Sequence, residues 1–110
     1  MRKIDYKKII KNDKFAVYLV YIDNKYIGKI YIVNKNNRAV VKYNFGENKF
    51  NYLIGSILIN DLLHWALDIY INTNESKIYF KDSCDIDYYL ENFNIKKEEK
   101  NNSVCYSLKR

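Results

Sequence analysis

Proline is absent from the 110 residues, glycine occurs at three positions, cysteine at two and histidine at one. With one histidine and no CxxC pair there is no ligand set from which a zinc site could be built. Cys84 and Cys105 are also too isolated for a disulfide scaffold. A reduced, cytoplasmic protein is the expectation. Blocks of like charge are missing too. The net charge is +6, but the cations are scattered, whereas a nucleic-acid arm concentrates them. Abundant Lys, Asn, Ile and Tyr without Pro is what an A/T-rich coding sequence yields whatever the protein does. No secretory signal pattern opens the chain, and its longest apolar stretch is broken by Asn60, Asp61 and His64, so neither secretion nor a membrane span is expected. No repeat or low-complexity linker appears. At 48% hydrophobic, residues 1–110 are expected to form one domain around one core.

What the chain does have is one sustained helical period, over Asn48 to Asn72. At 100° per residue Leu58, Ile59, Leu62, Leu63, Ala66, Ile69 and Tyr70 share an arc, with Ser56, Asn60, Asp61, His64 and Asp68 opposite. The spacing predicts an amphipathic helix from Asn51 to Tyr70. Before it the pattern is that of strands. Met1 to Lys14 reads as a short strand or single turn. Phe15 to Ile22 is apolar at nearly every position, as in a strand covered on both faces. Tyr26 to Val33 returns, with Gly28 marking a close backbone approach or a bulge. Ala39 to Phe45 alternates, Ala39, Val41, Tyr43 and Phe45 on one face and Val40, Lys42 and Asn44 on the other. After the helix, Lys77 to Lys81 reads as a strand parallel to Ala39 to Phe45. A short second helix capped by Asp82 or Ser83 follows and stops near Asn92. A hairpin of Phe93 to Ile95 and Val104 to Leu108, separated by the charged Lys96-to-Asn102 stretch, closes the chain. This is an α+β fold: a mixed, mostly antiparallel sheet with one main helix and a short second one.

Four local patterns carry a resemblance. Ile54-Gly55-Ser56-Ile57-Leu58 runs on to Leu62-Leu63-His64-Trp65-Ala66; Phe45, Phe50 and Gly55 are evenly spaced; Tyr26-Ile27-Gly28-Lys29-Ile30 forms a hairpin strand; Tyr88-Tyr89-Leu90-Glu91-Asn92-Phe93 ends on an aromatic. In this order they resemble the GNAT superfamily of acyl-CoA N-acyltransferases, from Phe15 to Arg110, with the family's N-terminal helix pair missing. The resemblance implies that Asn51, Leu53, Ile54, Gly55 and Ser56 belong to the loop and helix start that hold the CoA pyrophosphate, where free N–H groups and the positive end of the dipole favour phosphate. It implies that the backbone N–H of Phe45 polarises the thioester carbonyl, and that Tyr88 protonates the departing thiolate. The family's loop pattern is departed from at two places: Phe50 stands for Gln or Arg and Leu53 for the first Gly. Lys42 or Lys49 could supply the missing charge.

A general base is harder to place. Glu47, Asp5 and Asp82 are the nearest carboxylates, and each reads more simply as a solvated turn residue. His64 falls on the polar arc, Cys105 reads as packing or surface, and no Ser-His-Asp set can be built. The leading function is transfer of an acetyl group from acetyl-CoA to an amine. The alternative is a non-catalytic GNAT-fold module, an inhibitor or adaptor of another protein, encoded by a mobile element. Nucleic-acid binding through Lys29, Tyr31, Lys42 and Tyr43 is the least favoured reading. A homodimer is expected to bury the sheet face that the missing helices would shield.

Overall fold

The computed structural model describes residues 3–45, 52–80, 93–101 and 103–110, and for residues 52–56 the backbone alone. They form β1 (Ile4–Lys11), β2 (Phe15–Ile22), β3 (Lys25–Lys35), β4 (Arg38–Asn44), α1 (Tyr52–Ile69), β5 (Glu75–Phe80), β6 (Lys96–Lys100) and β7 (Ser103–Lys109). The seven strands make one sheet in the order β1-β2-β3-β4-β5-β7-β6. β1 to β4 are an antiparallel meander, and β4 and β5 pair in parallel, because the α1 crossover between them returns the chain in the same direction.

With few glycines available, asparagine and aspartate take the left-handed turn positions. Asp23 and Asn24 have φ of 50° and 68°, and Asn36 and Asn37 have 54° and 61°. Consecutive positive φ values suit the tight turn of a right-twisted hairpin, and the short Asx side chain tolerates them. The β1–β2 turn is closed differently: Asn12 Oδ1 accepts from the N–H groups of Lys14 and Phe15 at 2.8 and 2.9 Å.

The core is one face of the sheet against α1. Ala16, Tyr18, Val20, Ile22, Ile30, Ile32, Ala39, Val41 and Ile78 meet the helix's Leu58, Ile59, Leu62, Leu63, Ala66 and Leu67, all buried. Ser76 on β5 donates to the Leu63 carbonyl at 2.8 Å, tying strand to helix inside the core. One helical position read as polar surface is structural instead. Asp61 accepts a hydrogen bond from the Tyr6 hydroxyl, whose ring stacks on Trp65 at 3.9 Å; Tyr18 meets the same indole edge-on at 4.4 Å.

Three sequence expectations are corrected. Residues 4–11 are a full strand rather than a short strand or single turn, because β2 offers them a complete antiparallel edge. The first strand of the closing hairpin is Lys96–Lys100, which was expected to be the connection between strands, and Phe93 and Ile95 lie before it, half-buried against the core. β6 pairs only with β7 at the sheet edge, where charge is tolerated and guards against pairing with other chains. β2 is also not buried on both faces: Ala16, Tyr18, Val20 and Ile22 are buried while Val17, Leu19 and Tyr21 are half-exposed. The described residues hold one helix; the expected second one falls within 81–92, outside them.

Candidate functional site

The parallel ladder of β4 and β5 ends at Val41↔Ile78, although β4 runs on to Asn44 and β5 to Phe80. Beyond that pair the strands separate. The split is at the C-terminal ends of both strands, the end where ligands lodge in open α/β sheets. α1 begins at Tyr52 after the short connection from β4, so Leu53, Ile54 and Gly55 lie in its first turn, with Ser56 next. There the backbone N–H groups lack intrahelical partners and the dipole's positive end favours an anion.

Gly28 holds the β4 side of the split in place. A Cβ at Gly28 would meet the Asn44 carbonyl oxygen at 2.2 Å and Phe45 Cα at 2.7 Å. A bulge accompanies it: Val20 pairs with Gly28 but Tyr21 with Tyr26, leaving Ile27 as the extra residue. The Phe45 ring is buried and stacks on Tyr43 at 5.1 Å; Tyr43 reaches Phe80 at 5.0 Å and Phe80 meets Tyr106 at 5.7 Å. Side chains therefore bridge on the core face where the backbones have separated. Phe45 has its ring in this cluster, so what it brings to the split is backbone.

The other candidates are not gathered there. Asn51, Phe50, Lys49, Glu47, Asp82, Cys84 and Tyr88 lie outside the described residues. Lys42 is exposed on the sheet face opposite α1, and Tyr43 is on the core face, as the alternation of the strand predicts, so the two do not share a surface. Asp5 is half-buried and pairs with Lys3 at 3.7 Å. His64 is exposed and lines a cavity of about 550 Å3 with Asn60, Phe93, Lys96 and Ser107. Cys105 is a buried free thiol whose pKa burial raises, the reverse of an activated nucleophile. Among the described residues no three potential ligands gather for a metal, and no helix is long and apolar enough to cross a membrane.

Solved structures share this architecture. The chain superposes on the Campylobacter jejuni N-acetyltransferase PseH in complex with acetyl coenzyme A with a TM-score of 0.61 at 20% identity, over 90% of this chain and 70% of that one. The chain has the GNAT fold. An acetyltransferase of the GNAT family from Streptococcus pneumoniae gives a TM-score of 0.58 at 14% identity, covering 90% of this chain and 68% of that one. The N-terminal domain of the ribosomal-protein-alanine acetyltransferase from Clostridium acetobutylicum gives 0.63 at 14%, covering 96% and 90%. No family model and no curated protein matches the sequence. The GNAT fold is thus carried with little sequence in common. Sequence reasoning found the helix start and the strand end but missed the aromatic bridge; its signal was present, since Tyr43 and Phe80 both fall on the inward phase of their strands.

Proposed function

We propose that this chain is a small N-acetyltransferase of the cytoplasm that moves an acetyl group from acetyl-CoA to an amine. The observation that carries the reading is the early end of the β4–β5 ladder at Val41↔Ile78, with α1 the next element after β4, in a fold whose neighbour PseH was solved with acetyl coenzyme A. Two features support the cofactor: the β4–β5 ladder stops short of both strand ends, where an extended pantetheine chain would lie, and the first turn of α1 has N–H groups that would face a pyrophosphate. Acetyl-CoA supplies the acetyl group as a thioester. In this reading the backbone at Asn51, Leu53, Ile54, Gly55 and Ser56 holds the phosphates, Phe45 contributes its N–H at the strand end, and Tyr88 donates the proton to the departing thiolate.

A second reading rests on two observations. Phe50 and Leu53 stand where the resemblance implies Gln or Arg and a glycine, and the Tyr43 and Phe80 rings meet at 5.0 Å across the split. Both favour a non-catalytic module that keeps the scaffold and binds another protein. Calorimetric titration of acetyl-CoA into the purified chain separates the two. Binding in the micromolar range is expected, roughly −8 kcal/mol at a Kd of about 1 µM. Gly55→Arg abolishes it without unfolding the domain, and Tyr88→Phe keeps it while slowing turnover about 100-fold to 10,000-fold. No binding at about 1 mM, an affinity worth only about 4 kcal/mol, sinks the enzyme and leaves the module.

A further inference from the structure

The sheet face opposite α1 carries an apolar patch that no described element covers. By register, Ile10, Val17 and Tyr31 form one row across β1, β2 and β3, and Phe15, Val33 and Val40 a second across β2, β3 and β4. Ile10, Phe15 and Tyr31 are 45%, 41% and 40% exposed, and Val17, Val33 and Val40 are half-buried. Cations border the rows. Lys7 and Lys29 flank Leu19 on one side, Lys42 stands opposite Tyr31 at the end of its row, and Lys35 lies beyond Val33. All four lysines are exposed, and among the described residues none is in an ion pair. Two neighbouring acids are already engaged, Asp5 with Lys3 and Glu75 with both Arg38 and Lys77.

We propose that this face docks an acidic amphipathic helix of a partner protein, independently of whether the chain binds acetyl-CoA. An apolar centre with a charged rim is the anatomy of a protein interface, and here the rim has one sign. A second copy of the chain would set lysines against lysines, a repulsion the patch offers no acid to relieve. Single-stranded nucleic acid needs successive rings for stacking, but five of the seven patch residues, Leu19 included, are aliphatic and Tyr43 faces the core. The dimensions suit a helix. From β1 to β4 the rows span three strand spacings, about 14 Å, or roughly nine residues of helix at 1.5 Å each. Their width of about 7 Å matches an i, i+3, i+4, i+7 stripe, leaving acidic residues on its flanks to meet Lys29 on one side and Lys35 on the other.

The probe is a fluorescein-labelled amphipathic peptide of about 18 residues, Leu on one face and Glu on both flanks, with a Lys-flanked twin as control. Fluorescence anisotropy should give the acidic peptide a Kd of order 10 µM and the twin at least about tenfold weaker binding. Lys29→Glu with Lys42→Glu, two exposed changes that leave the thermal midpoint in place, should weaken the acidic peptide about tenfold or more. Tyr31→Asp should do the same by removing the apolar anchor. The proposal fails if the acidic peptide shows no binding at about 1 mM, if the twin binds wild type as tightly as the acidic peptide does, or if the double mutant binds the acidic peptide as tightly as wild type. It also fails if oligo-dT binds more tightly than the acidic peptide, or if the chain alone sediments as a dimer that Tyr31→Asp dissociates.

Discussion

At position 28 hydrogen is the only side chain that fits. Gly28 has φ of +154°, and its missing Cβ leaves room for the Asn44 carbonyl and Phe45 Cα. Alanine there would combine backbone strain with overpacking, together about 2 to 4 kcal/mol, which lowers the thermal midpoint by roughly 10 to 20 °C in a domain of this size. Differential scanning fluorimetry of Gly28→Ala checks it; an unchanged midpoint would mean that the end of β4 does not depend on this approach. The sequence announced some of this. A lone glycine inside a strand pattern pointed to a bulge or a close approach, and both are present. It did not say which backbone comes close, because Phe45 reaches Gly28 through sheet register, which is non-local. The same limit hid Tyr6: its alternation marked a strand, but its bond to Asp61 and its stacking on Trp65 join the chain's start to the middle of α1.

Among the elements, α1 was the most legible and its far end the least. Its described span, Tyr52–Ile69, lies within the one the periodicity predicts and ends one residue short of it, since seven phased apolar positions leave little freedom. What caps its C-terminus comes from elsewhere in the chain. Arg110 donates from Nε to the Thr73 carbonyl at 2.7 Å and from Nη2 to that of Leu67 at 2.6 Å, placing a cation at the negative end of the helix dipole. Hydrogen bonds to charged groups contribute about 1.5 to 3 kcal/mol, so Arg110→Ala should destabilise the chain by about that much and fray the last turn. Faster hydrogen exchange at the Tyr70 and Thr73 amides, which donate to Ala66 and Tyr70, would show it. Arg110→Lys should restore only a fraction, because an ammonium lacks the guanidinium's fork. Equal exchange in wild type and Arg110→Ala would remove the cap from the account. β6 was misread for the opposite reason: KKEEK has no apolar phase to read, and it is a strand only because β7 offers an edge.

For the whole molecule, the order of periods predicted the meander, the crossover helix and the parallel β4–β5 pair. It could not predict where that ladder stops, since Lys42 to Asn44 continues to alternate as a strand after its partner has turned away. A second whole-molecule property follows from the abundance of tyrosine. Tyr6, Tyr18 and Tyr70 have pKa values raised above the ordinary 10.0 by burial, Tyr6 the most, with the Asp61 hydrogen bond and charge adding to it. Burial raises Cys105 above 9.0 as well. A group whose folded pKa exceeds its unfolded value keeps its proton in the native chain after the unfolded chain has lost it. Its contribution is therefore whole below the unfolded pKa and declines as pH climbs past it. Stability should hold to about pH 9 and then fall, each such group costing up to about 1.4 kcal/mol per pH unit above its unfolded value. Tyr6→Phe isolates the largest share. The variant should be less stable than wild type at pH 8, by the lost bond to Asp61, and its deficit should shrink between pH 10 and 11 because it has no Tyr6 proton to lose on unfolding. Urea unfolding across that range measures both slopes, and a deficit that stays constant with pH would mean that the Tyr6 hydroxyl is not buried against Asp61.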